Sequence, residues 1–435
     1  MTDTARVILW GSDIGAITWL QDQSIGVFQY TPEFSKSGIE VAPLAMPLRE
    51  APYQFPSLSQ DTFKGLPGLL ADSLPDRFGN ALIDAWLSSL GRDVASFTSI
   101  ERLCYTGNRG MGALEFKPLL HESPSSNRVV EIDALVSLAN RVLDERVALK
   151  GKLSGDDDQQ VIEDILRVGT SAGGARAKAV LAWNEKTGEF RSGQTPTTAD
   201  FSQWLVKFDG IHGNKDKELA DPLGFGRIEY AYYNMACAAG IEMEQCRLLE
   251  EGGRAHFMTK RFDRTATGKK LHMQSFGAMK HFDFNSAGAY SYEQSLQTIK
   301  QLGLSTHDTE QQVRRAIFNV LARNQDDHVK NIAFLMNPKG QWTLAPAFDV
   351  TYSYNPTGDW TSRHQMTLNG KRSDFEVNDL IAFAAVGGLK KARATAIISE
   401  ISAVLAEWKQ YAMDAEIPDK DISQIGNTHR HNLFQ

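Results

Sequence analysis

The sequence predicts an α+β protein with an α/β amino-terminal part and a mostly helical carboxyl-terminal lobe. Near the amino terminus, the apolar runs at residues 7–10 and 24–30 are strand-like and are separated by polar turn residues. Residues 80–87 then repeat apolar side chains at helical spacing. From about residue 290 onward the patterns are mostly helical. A chain of 435 residues is also too long for one typical core, so we expect two or three domains.

Polar stretches suggest where these domains meet. Residues 121–127 and the acidic residues 151–160 have the composition of linkers. Beyond them, residues 201–208 form a strand-like run, and residues 228–239 predict a helix with Glu229 in its first turn. We therefore predict three parts, residues 1–150, 151–265 and 266–435.

The overall composition is that of an ordinary globular protein, with 42% hydrophobic and 23% charged residues. A formal net charge of −7 gives no global attraction to nucleic acid or to an anionic membrane. One local basic cluster, Lys390, Lys391 and Arg393, is a candidate for phosphate contact, although a solvated helix face is the favoured interpretation.

The cysteines and the amino terminus indicate a cytoplasmic protein. Cys104, Cys237 and Cys246 are odd in number and scattered, without the paired spacing of a zinc site or a disulfide framework. The amino terminus has no apolar segment after a basic start, and no apolar run approaches the length that spans a bilayer. We expect reduced thiols, a cytoplasmic location and no membrane partner.

The densest group of polar side chains lies in residues 323–331. Four residues separate Asp326 from Asn331, which is the spacing at which a protein-kinase catalytic loop places its base and a metal-binding amide. Asp349 follows where such a loop needs a second metal-binding carboxylate. Apolar residues at helical spacing end where the loop begins and predict a buried helix before it: Val313, Ala316, Ile317, Val320 and Leu321.

A predicted hairpin connects the loop to Asp349. Residues 332–336 and 341–345 are strand-like and flank the turn-forming residues 337–340. Folding this hairpin would return Asp349 to the side of Asn331. The two residues would then offer oxygen ligands to Mg²⁺, with phosphates completing the shell, while Asp326 accepts a hydroxyl proton.

Each of these residues has a simpler explanation when taken alone. Asp326 or Asp327 could cap a turn after the helix, and Asn331 could bond to backbone. The coordinated matches favour the kinase-like site.

A second group of residues could bind phosphate. Residues 168–178 form a loop of small residues before the apolar run 179–183, and glycine permits close backbone approach to phosphate oxygens. The residues of interest are Ser171, Ala172, Gly173 and Lys178. The loop matches neither the Walker A pattern nor the glycine pattern of ordinary protein kinases, so taken alone it would be interpreted as a flexible turn.

Lys207 is the candidate cation for this loop, because it sits in the strand-like run 201–208 and Glu229 can orient it. The alternatives are a lysine whose stem packs while its amine reaches water, and a solvated acid at a helix start.

Together these segments resemble the HipA family of bacterial serine/threonine kinases, the toxins of HipA/HipB toxin–antitoxin systems. The resemblance spans nearly the whole chain, and the pattern Asp-x-His-x-Lys-Asn from Asp326 to Asn331 is its most specific part. The other matching segments are residues 65–67, 72–76, 107–114, 171–178, 260–264 and 274–277, the strand with Lys207, and Asp349.

The resemblance implies a two-lobed protein-kinase-like fold that uses ATP and Mg²⁺. It makes residues 1–150 a HipA-type subdomain, 151–265 the nucleotide-binding lobe and 266–435 the catalytic lobe. Asp326 would be the catalytic base, Asn331 and Asp349 the Mg²⁺ ligands, and Lys207 a contact of the ATP phosphates.

Further site residues follow from the same resemblance. His328 and Lys330 would lie near the transferred phosphoryl group. Lys260 and Phe262 would form the hinge that meets adenine, with Gln274 and Phe276 closing the pocket. Ser171 would be autophosphorylated, with Thr170 as a neighbouring competitor, and the added charge would eject the loop from the site.

The implied partners are a HipB-like helix-turn-helix antitoxin, operator DNA through the antitoxin complex, and a protein substrate of the translation apparatus, for which an aminoacyl-tRNA synthetase is a candidate. One alternative is a catalytically weak repressor that acts with an antitoxin. Another is a metal-dependent hydrolase with Asp326, Asp327 and His328 as ligands, which the lack of a second His/Asp cluster disfavours. Asp327, where some family members carry glycine, has no assigned role.

Overall fold

The computed structural model of this chain describes residues 2–89, 91–118, 132, 135–136, 139, 176–193, 198, 200–211, 215–216, 219–220 and 223–431. The predicted linkers 121–127 and 151–160 and the small-residue loop up to residue 175 lie outside the described residues. The predicted domain boundaries at residues 150 and 265 stay predictions.

The amino-terminal part is an antiparallel sheet covered by short helices. The predicted strands are confirmed, although the first ends at Leu9 because Trp10 adopts a positive φ in the turn that follows. The sheet has the order β3-β2-β1-β4, with β1 Thr4–Leu9, β2 Ser12–Leu20, β3 Ile25–Tyr30 and β4 Leu114–Lys117. The helices are α1 Gln60–Phe63, α2 Gly68–Ala71, α3 Arg77–Ser89, which contains the predicted residues 80–87, and α4 Ser99–Thr106.

The second sheet carries the predicted Lys207 strand at its centre. Its order is β10-β11-β7-β5-β6, with β5 Lys178–Trp183, β6 Phe190–Ser192, β7 Ser202–Lys207, β10 Cys246–Glu251 and β11 Arg254–Lys260. A separate two-stranded hairpin pairs β8 Lys215–Asp216 with β9 Leu219–Ala220. Within the large sheet, Lys178 and Lys207 are cross-strand neighbours. Side chains of such a pair lie on the same face of the sheet, so both lysines project from one face.

The helix that carries Glu229 packs against this sheet. It is α5, Phe225–Ala238, and begins three residues before the predicted start. Gly224 precedes it with a φ of +95°, a conformation that suits glycine and lets the helix begin early. The prediction that Glu229 lies in the first turn is therefore wrong. Glu229 lies one turn in, where it is 1% exposed and not the solvated acid that was the alternative.

The carboxyl-terminal lobe is mostly helical, as predicted, around one large apolar core. Its small sheet, of order β12-β13-β14, consists of β12 His272–Ser275, β13 Ala333–Met336 and β14 Trp342–Leu344. The helices are α6 Phe276–Lys280, α7 Tyr292–Gln301, α8 Thr306–Leu321, α9 Val377–Val386, α10 Lys391–Ala406, α11 Trp408–Asp414 and α12 Asp419–Gly426. The helix predicted before the polar loop is α8, and the predicted hairpin is β13 with β14.

A buried charge cluster ties the amino-terminal part to the rest of the chain. The Asp263 carboxylate accepts hydrogen bonds from Arg261 (2.7 and 2.8 Å), from Arg264 (2.7 Å) and from the Gly112 backbone N–H (2.7 Å). Arg261 also donates to the carbonyl of Gly110. Burial alone would raise the pKa of Asp263, but the two guanidinium groups hold it well below its usual range. The segments 107–114 and 260–264 therefore meet at this cluster.

The three cysteines are free thiols, as predicted. Among the residues that the structure describes, no helix is long and apolar enough to cross a membrane.

Candidate functional site

Helix α8 delivers the polar loop to the site. A capping box formed by Ser305 and Asp308 defines its start, and its apolar face is buried in the core of the lobe. After the helix, Arg323 takes a positive φ of 61° and turns the chain. Residues Val329–Asn331 form a single 3-10 turn, which folds the Asn331 amide back so that its Nδ2 donates to the Asp326 carbonyl at 2.9 Å. The structure thus brings Asp326 and Asn331 together.

The hairpin returns the chain to this loop at Asp349, as predicted, and both Asp349 and Asn331 line one pocket. Asp349 has a φ of 52°, a left-handed conformation that Asp tolerates better than most residues. Its Oδ1 lies 2.5 Å from Lys207 Nζ, and the same Nζ lies 2.5 Å from Glu229 Oε1. Lys207 therefore joins the second sheet, helix α5 and the carboxyl-terminal lobe at one point.

The electrostatics of this contact keep Lys207 and Asp349 charged. Burial alone would lower the pKa of Lys207, but the carboxylates of Asp349 and Glu229 outweigh it and raise that pKa above its ordinary value. Burial would likewise raise the pKa of Asp349, yet Lys207 and Lys178 lower it to about 2. A carboxylate that stays ionised at neutral pH is available to a cation.

Lys178, the last residue of the predicted phosphate loop, is paired with the amino-terminal part. Its Nζ lies 3.2 Å from Asp76 Oδ2, and the two side chains are 3% and 2% exposed. Burial raises the pKa of Asp76, partly offset by Lys178. Asp76 belongs to the segment 72–76, but nothing in its local sequence indicated a role at the site. Ser171, Ala172 and Gly173 lie outside the described residues.

The two adjacent carboxylates of the loop have different environments. Asp326 is partly exposed, and its Oδ1 accepts a hydrogen bond from Trp360 Nε1 at 2.7 Å. Asp327 is 2% exposed and accepts from the Tyr292 hydroxyl, from His364 Nδ1 and from the Gln365 backbone N–H, each at 2.7 Å.

This difference separates the chemistry of the two residues. Burial would raise the pKa of Asp327, but His364 and the hydrogen-bond donors hold it below its usual range. With both carboxylate oxygens engaged by protein groups, Asp327 is an anchor of the loop, and Asp326 is the more accessible of the two carboxylates.

The remaining loop residues surround one aromatic ring. Lys330 Nζ lies 5.0 Å from the centre of the Phe284 ring, and the His328 ring centre lies 5.6 Å from it. After Lys207 and Lys178, His328 also contributes to the lowering of the Asp349 pKa.

The predicted hinge residues lie at and just beyond the carboxyl end of strand β11, an interior strand of the second sheet. Lys260 ends β11, where its backbone N–H donates to the Gln245 carbonyl at 2.9 Å. Phe262 packs against Phe348, with ring centres 5.5 Å apart, and Met273 joins the same apolar cluster. The sequence did not indicate that Phe348 and Met273 would pack beside Phe262.

The two residues expected to close the adenine pocket are fully buried. Gln274 lies next to Met273 in β12, so the two side chains point to opposite faces of the strand. Phe276 belongs to the core of the carboxyl-terminal lobe.

The residues present fit a magnesium ion bound with a nucleotide. The Asp349 carboxylate and the Asn331 amide supply oxygen, which is what Mg²⁺ prefers, and too few protein ligands are present to hold the ion without phosphates and water. Within the described part of the chain, no group of three or more His, Cys, Asp or Glu side chains could bind a metal ion by itself. The hydrolase alternative needs Asp327 as a metal ligand, and the three hydrogen bonds to both of its carboxylate oxygens argue against that role.

The fold and the site together define an α+β protein of kinase-like fold. A model of the HipA N-terminal domain matches residues 5–117, and a model of the HipA-like C-terminal domain matches residues 170–408. Since the second match alone covers more than half of the chain, the chain belongs to the HipA family.

The similarity to individual proteins is illustrated by one solved structure and one curated relative. The HipA chain in the complex of HipA, HipB and operator DNA from Shewanella oneidensis MR-1 superimposes with a TM-score of 0.66 and 18% identity, over 99% of this chain and 95% of that one. A Sinorhizobium fredii protein named "Putative kinase Y4dM" is 26% identical over 293 residues, which is 61% of this chain and 66% of that relative. The chain thus spans just under two thirds of the length of this curated relative.

Proposed function

We propose that this chain is an ATP- and Mg²⁺-dependent serine/threonine protein kinase and acts as a HipA-type toxin. The observation that carries the proposal is the bridge made by Lys207 to Glu229 and Asp349, because a kinase needs its lysine–glutamate pair and its metal-binding Asp in place at once. Family membership and the fold of the Shewanella protein support the same conclusion.

Each residue of the site would have a distinct role in phosphoryl transfer. Lys207 and Lys178 would neutralise the phosphates of ATP, and Asn331 and Asp349 would hold Mg²⁺, which supplies further charge neutralisation when bound. Asp326 would orient the acceptor hydroxyl and take up its proton. Phe262 and Phe348 would provide an apolar surface for adenine.

Phosphotransfer can be tested with labelled ATP. The purified chain and an Asp326→Asn variant would be incubated with Mg²⁺, labelled ATP and a cell lysate. We expect a discrete labelled protein with the wild type and a loss of label of about a hundredfold or more with the variant. Phosphate release without any labelled protein would contradict the proposal and favour a hydrolase.

A matched control separates catalysis from folding. Asp308→Asn removes a carboxylate from the capping box of helix α8, which precedes the loop with Asp326. Asp308 is not one of the proposed site residues. This variant should retain its activity at a temperature where it stays folded, and equal losses in the two variants would point to misfolding.

We further propose that Ser171 is the autophosphorylated residue, with Thr170 as the competitor, and that its phosphorylation silences the kinase. A phosphoserine would add about two negative charges where ATP phosphates must bind. Mass spectrometry after incubation with ATP should find phosphate on Ser171, and phosphate on neither residue would refute the idea.

The substrate and partners are proposals by analogy. We propose a protein of the translation apparatus, such as an aminoacyl-tRNA synthetase, as the substrate and a HipB-like helix-turn-helix protein as the antitoxin. The Shewanella structure contains HipA with HipB and operator DNA, which supports the antitoxin and DNA bound through it.

The same complex is the reason to keep repression together with an antitoxin as a second candidate function. Direct DNA contact by the cluster at residues 390–393 has little support, because Arg393 is paired with Glu310 and Glu400. Co-expression with a helix-turn-helix protein encoded beside the chain, followed by a DNA mobility-shift assay, would test this candidate. If operator binding occurs and no substrate is labelled, the second candidate is favoured.

A further inference from the structure

The indole of Trp360 contacts the proposed catalytic base directly. Trp360 Nε1 donates to Asp326 Oδ1 at 2.7 Å, which is a short distance for a nitrogen donor and typical of a charged acceptor. One carboxylate oxygen is thereby held, and the direction of the other follows from the planarity of the group. The side chain that sets the orientation of Asp326 therefore lies on a different segment, in the loop after Asp349.

Both chain neighbours of Asp326 hold the segment that carries Trp360. Gln325 is fully buried, and its Nε2 donates to the Thr361 carbonyl at 3.0 Å. Asp327 accepts from the Gln365 backbone N–H at 2.7 Å, and Gln365 Nε2 in turn donates to the Trp360 carbonyl at 2.5 Å. The contacts form a closed ring. Gln325 and Asp327 of the loop bind the segment at two points, and the indole of Trp360 from that segment binds Asp326.

This ring gives Asp327 a role. Its carboxylate is buried, and such a charge is costly unless it is fully hydrogen-bonded, as it is here by Tyr292, His364 and Gln365. Two of these three donors, His364 and Gln365, belong to the segment that follows Trp360. The Asp327 carboxylate therefore holds this segment beside Asp326.

We propose that Trp360 is the positioning residue of the phosphotransfer reaction and that Gln325 and Asp327 keep it in place. This inference rests on the proposed function, because it assumes that Asp326 is the base. The hydrogen bonds of Trp360 lead to Asp326 and to Gln365, which lies in the supporting segment, so its effect should fall on the chemical step and spare ATP binding.

The kinetic test uses the full-length chain with Trp360→Phe, which keeps an aromatic ring and removes the indole N–H. We expect kcat to fall about tenfold to a hundredfold, as for the loss of a hydrogen bond to a charged group, while the KM for ATP stays within about twofold. Trp342→Phe is the matched control, because its indole donates to the Glu40 carbonyl away from the site, at 3.1 Å. An unchanged kcat in Trp360→Phe, with an active wild type, would overturn the inference.

A second readout does not depend on activity. With ¹⁵N-labelled tryptophan, the indole signal of Trp360 is identified by its absence from the Trp360→Phe spectrum, and Trp360→Tyr serves if that variant fails to fold. Asp326→Asn removes the charged acceptor, so it should move the Trp360 N–H proton signal upfield and leave the Trp342 signal in place. A Trp360 signal that does not move would refute the contact. An inactive wild type with the expected spectral shift would instead refute the proposed function and leave the contact standing.

Discussion

Gly226 packs directly against the backbone of Ala255, so closely that a Cβ atom at position 226 would lie 2.0 Å from the Ala255 carbonyl oxygen. Gly226 is in the first turn of helix α5, and Ala255 is in strand β11, which pairs with the Lys207 strand. The distance between Glu229 and Lys207 therefore depends on the absence of a side chain at this glycine.

Gly226→Ala should push helix α5 away from the sheet. We expect a loss of about 1–3 kcal/mol in the free energy of unfolding and a marked loss of kinase activity, because overpacking forces backbone to move and Glu229 moves with it. Chemical denaturation and the labelled-ATP assay measure the two effects. Gly110→Ala is the control, since its nearest atom is the Thr106 methyl carbon at 3.3 Å; an equal effect in both variants would contradict the argument.

Asp76→Asn should destabilise the protein by about 3 kcal/mol, because it leaves the ammonium of Lys178 buried without its nearest carboxylate. The double variant Asp76→Asn with Lys178→Met should recover part of this loss, since neither buried charge remains. Denaturant unfolding of the three proteins measures the coupling. The exposed pair of Arg6 and Asp13 provides the control, and Asp13→Asn should cost less than about 1 kcal/mol.

Stability should fall as the pH drops from about 6.5 towards 4, before most carboxylates titrate. Burial lowers the pKa of His272 and His281 to about 4 and that of His429 to about 3. In this range the unfolded chain takes up protons at these positions and the folded chain does not, so protonation favours unfolding. His281 shows why, because its Nε2 accepts a hydrogen bond from the Gly68 N–H and cannot do so once protonated.

The His281→Gln variant tests this pH dependence. Gln keeps an acceptor for Gly68 and does not titrate, so the free energy of unfolding should change less between pH 7 and pH 5 than in the wild type. Near and above pH 8, where histidine is neutral in both states, the difference in the free energy of unfolding between the two proteins should not vary with pH. Identical slopes between pH 7 and pH 5 would show that His281 takes up its proton equally in the folded and the unfolded chain, which contradicts the argument from burial.

Arg430→Met should weaken the support that residues near the carboxyl-terminal end of the described chain give to the polar loop 323–331. The Arg430 guanidinium contacts the Val320 carbonyl at 3.0 Å, near the end of helix α8, and His364 Nε2 at 3.3 Å. We expect a loss of stability of about 1–3 kcal/mol, because the polar groups that it leaves are part-buried, together with reduced activity.

Arg393→Met is the corresponding control, because Arg393 is an arginine at 42% exposure with carboxylate partners on the surface. It should cost no more than about 1 kcal/mol. Thermal and denaturant unfolding compare the two variants, and similar losses would contradict a special role for Arg430.

Local patterns predicted those elements whose stability depends on a buried face. Val313, Ile317 and Leu321 recur at helical spacing because one face of helix α8 is in the core, and that periodicity is visible without the fold. The hairpin before Asp349 was visible for the same reason. The predicted start of helix α5 was three residues too late because glycine, as at position 226, usually disfavours a helix. In the structure Gly226 allows the helix to approach the backbone of Ala255 closely.

Polar partners from distant segments could not be predicted in this way. Asp76 pairs with Lys178, and Trp360 with Asp326, across segments whose approach depends on the whole fold. A single hydrogen bond leaves no periodic trace in the sequence. The spacing of the polar loop therefore identified the residues at the centre of the candidate site, while the residues that hold them in place became visible only in the structure.

The left-handed backbone at Asp349 decides which substitution is informative there. An alanine would remove the carboxylate and would also place an unsuited residue at a φ of 52°, so its effects on chemistry and on local conformation would be mixed. Asparagine accepts this conformation and has nearly the same shape. Asp349→Asn is consequently the cleaner probe of the carboxylate charge, and Asp349→Ala adds the loss of the side-chain oxygen and the conformational cost.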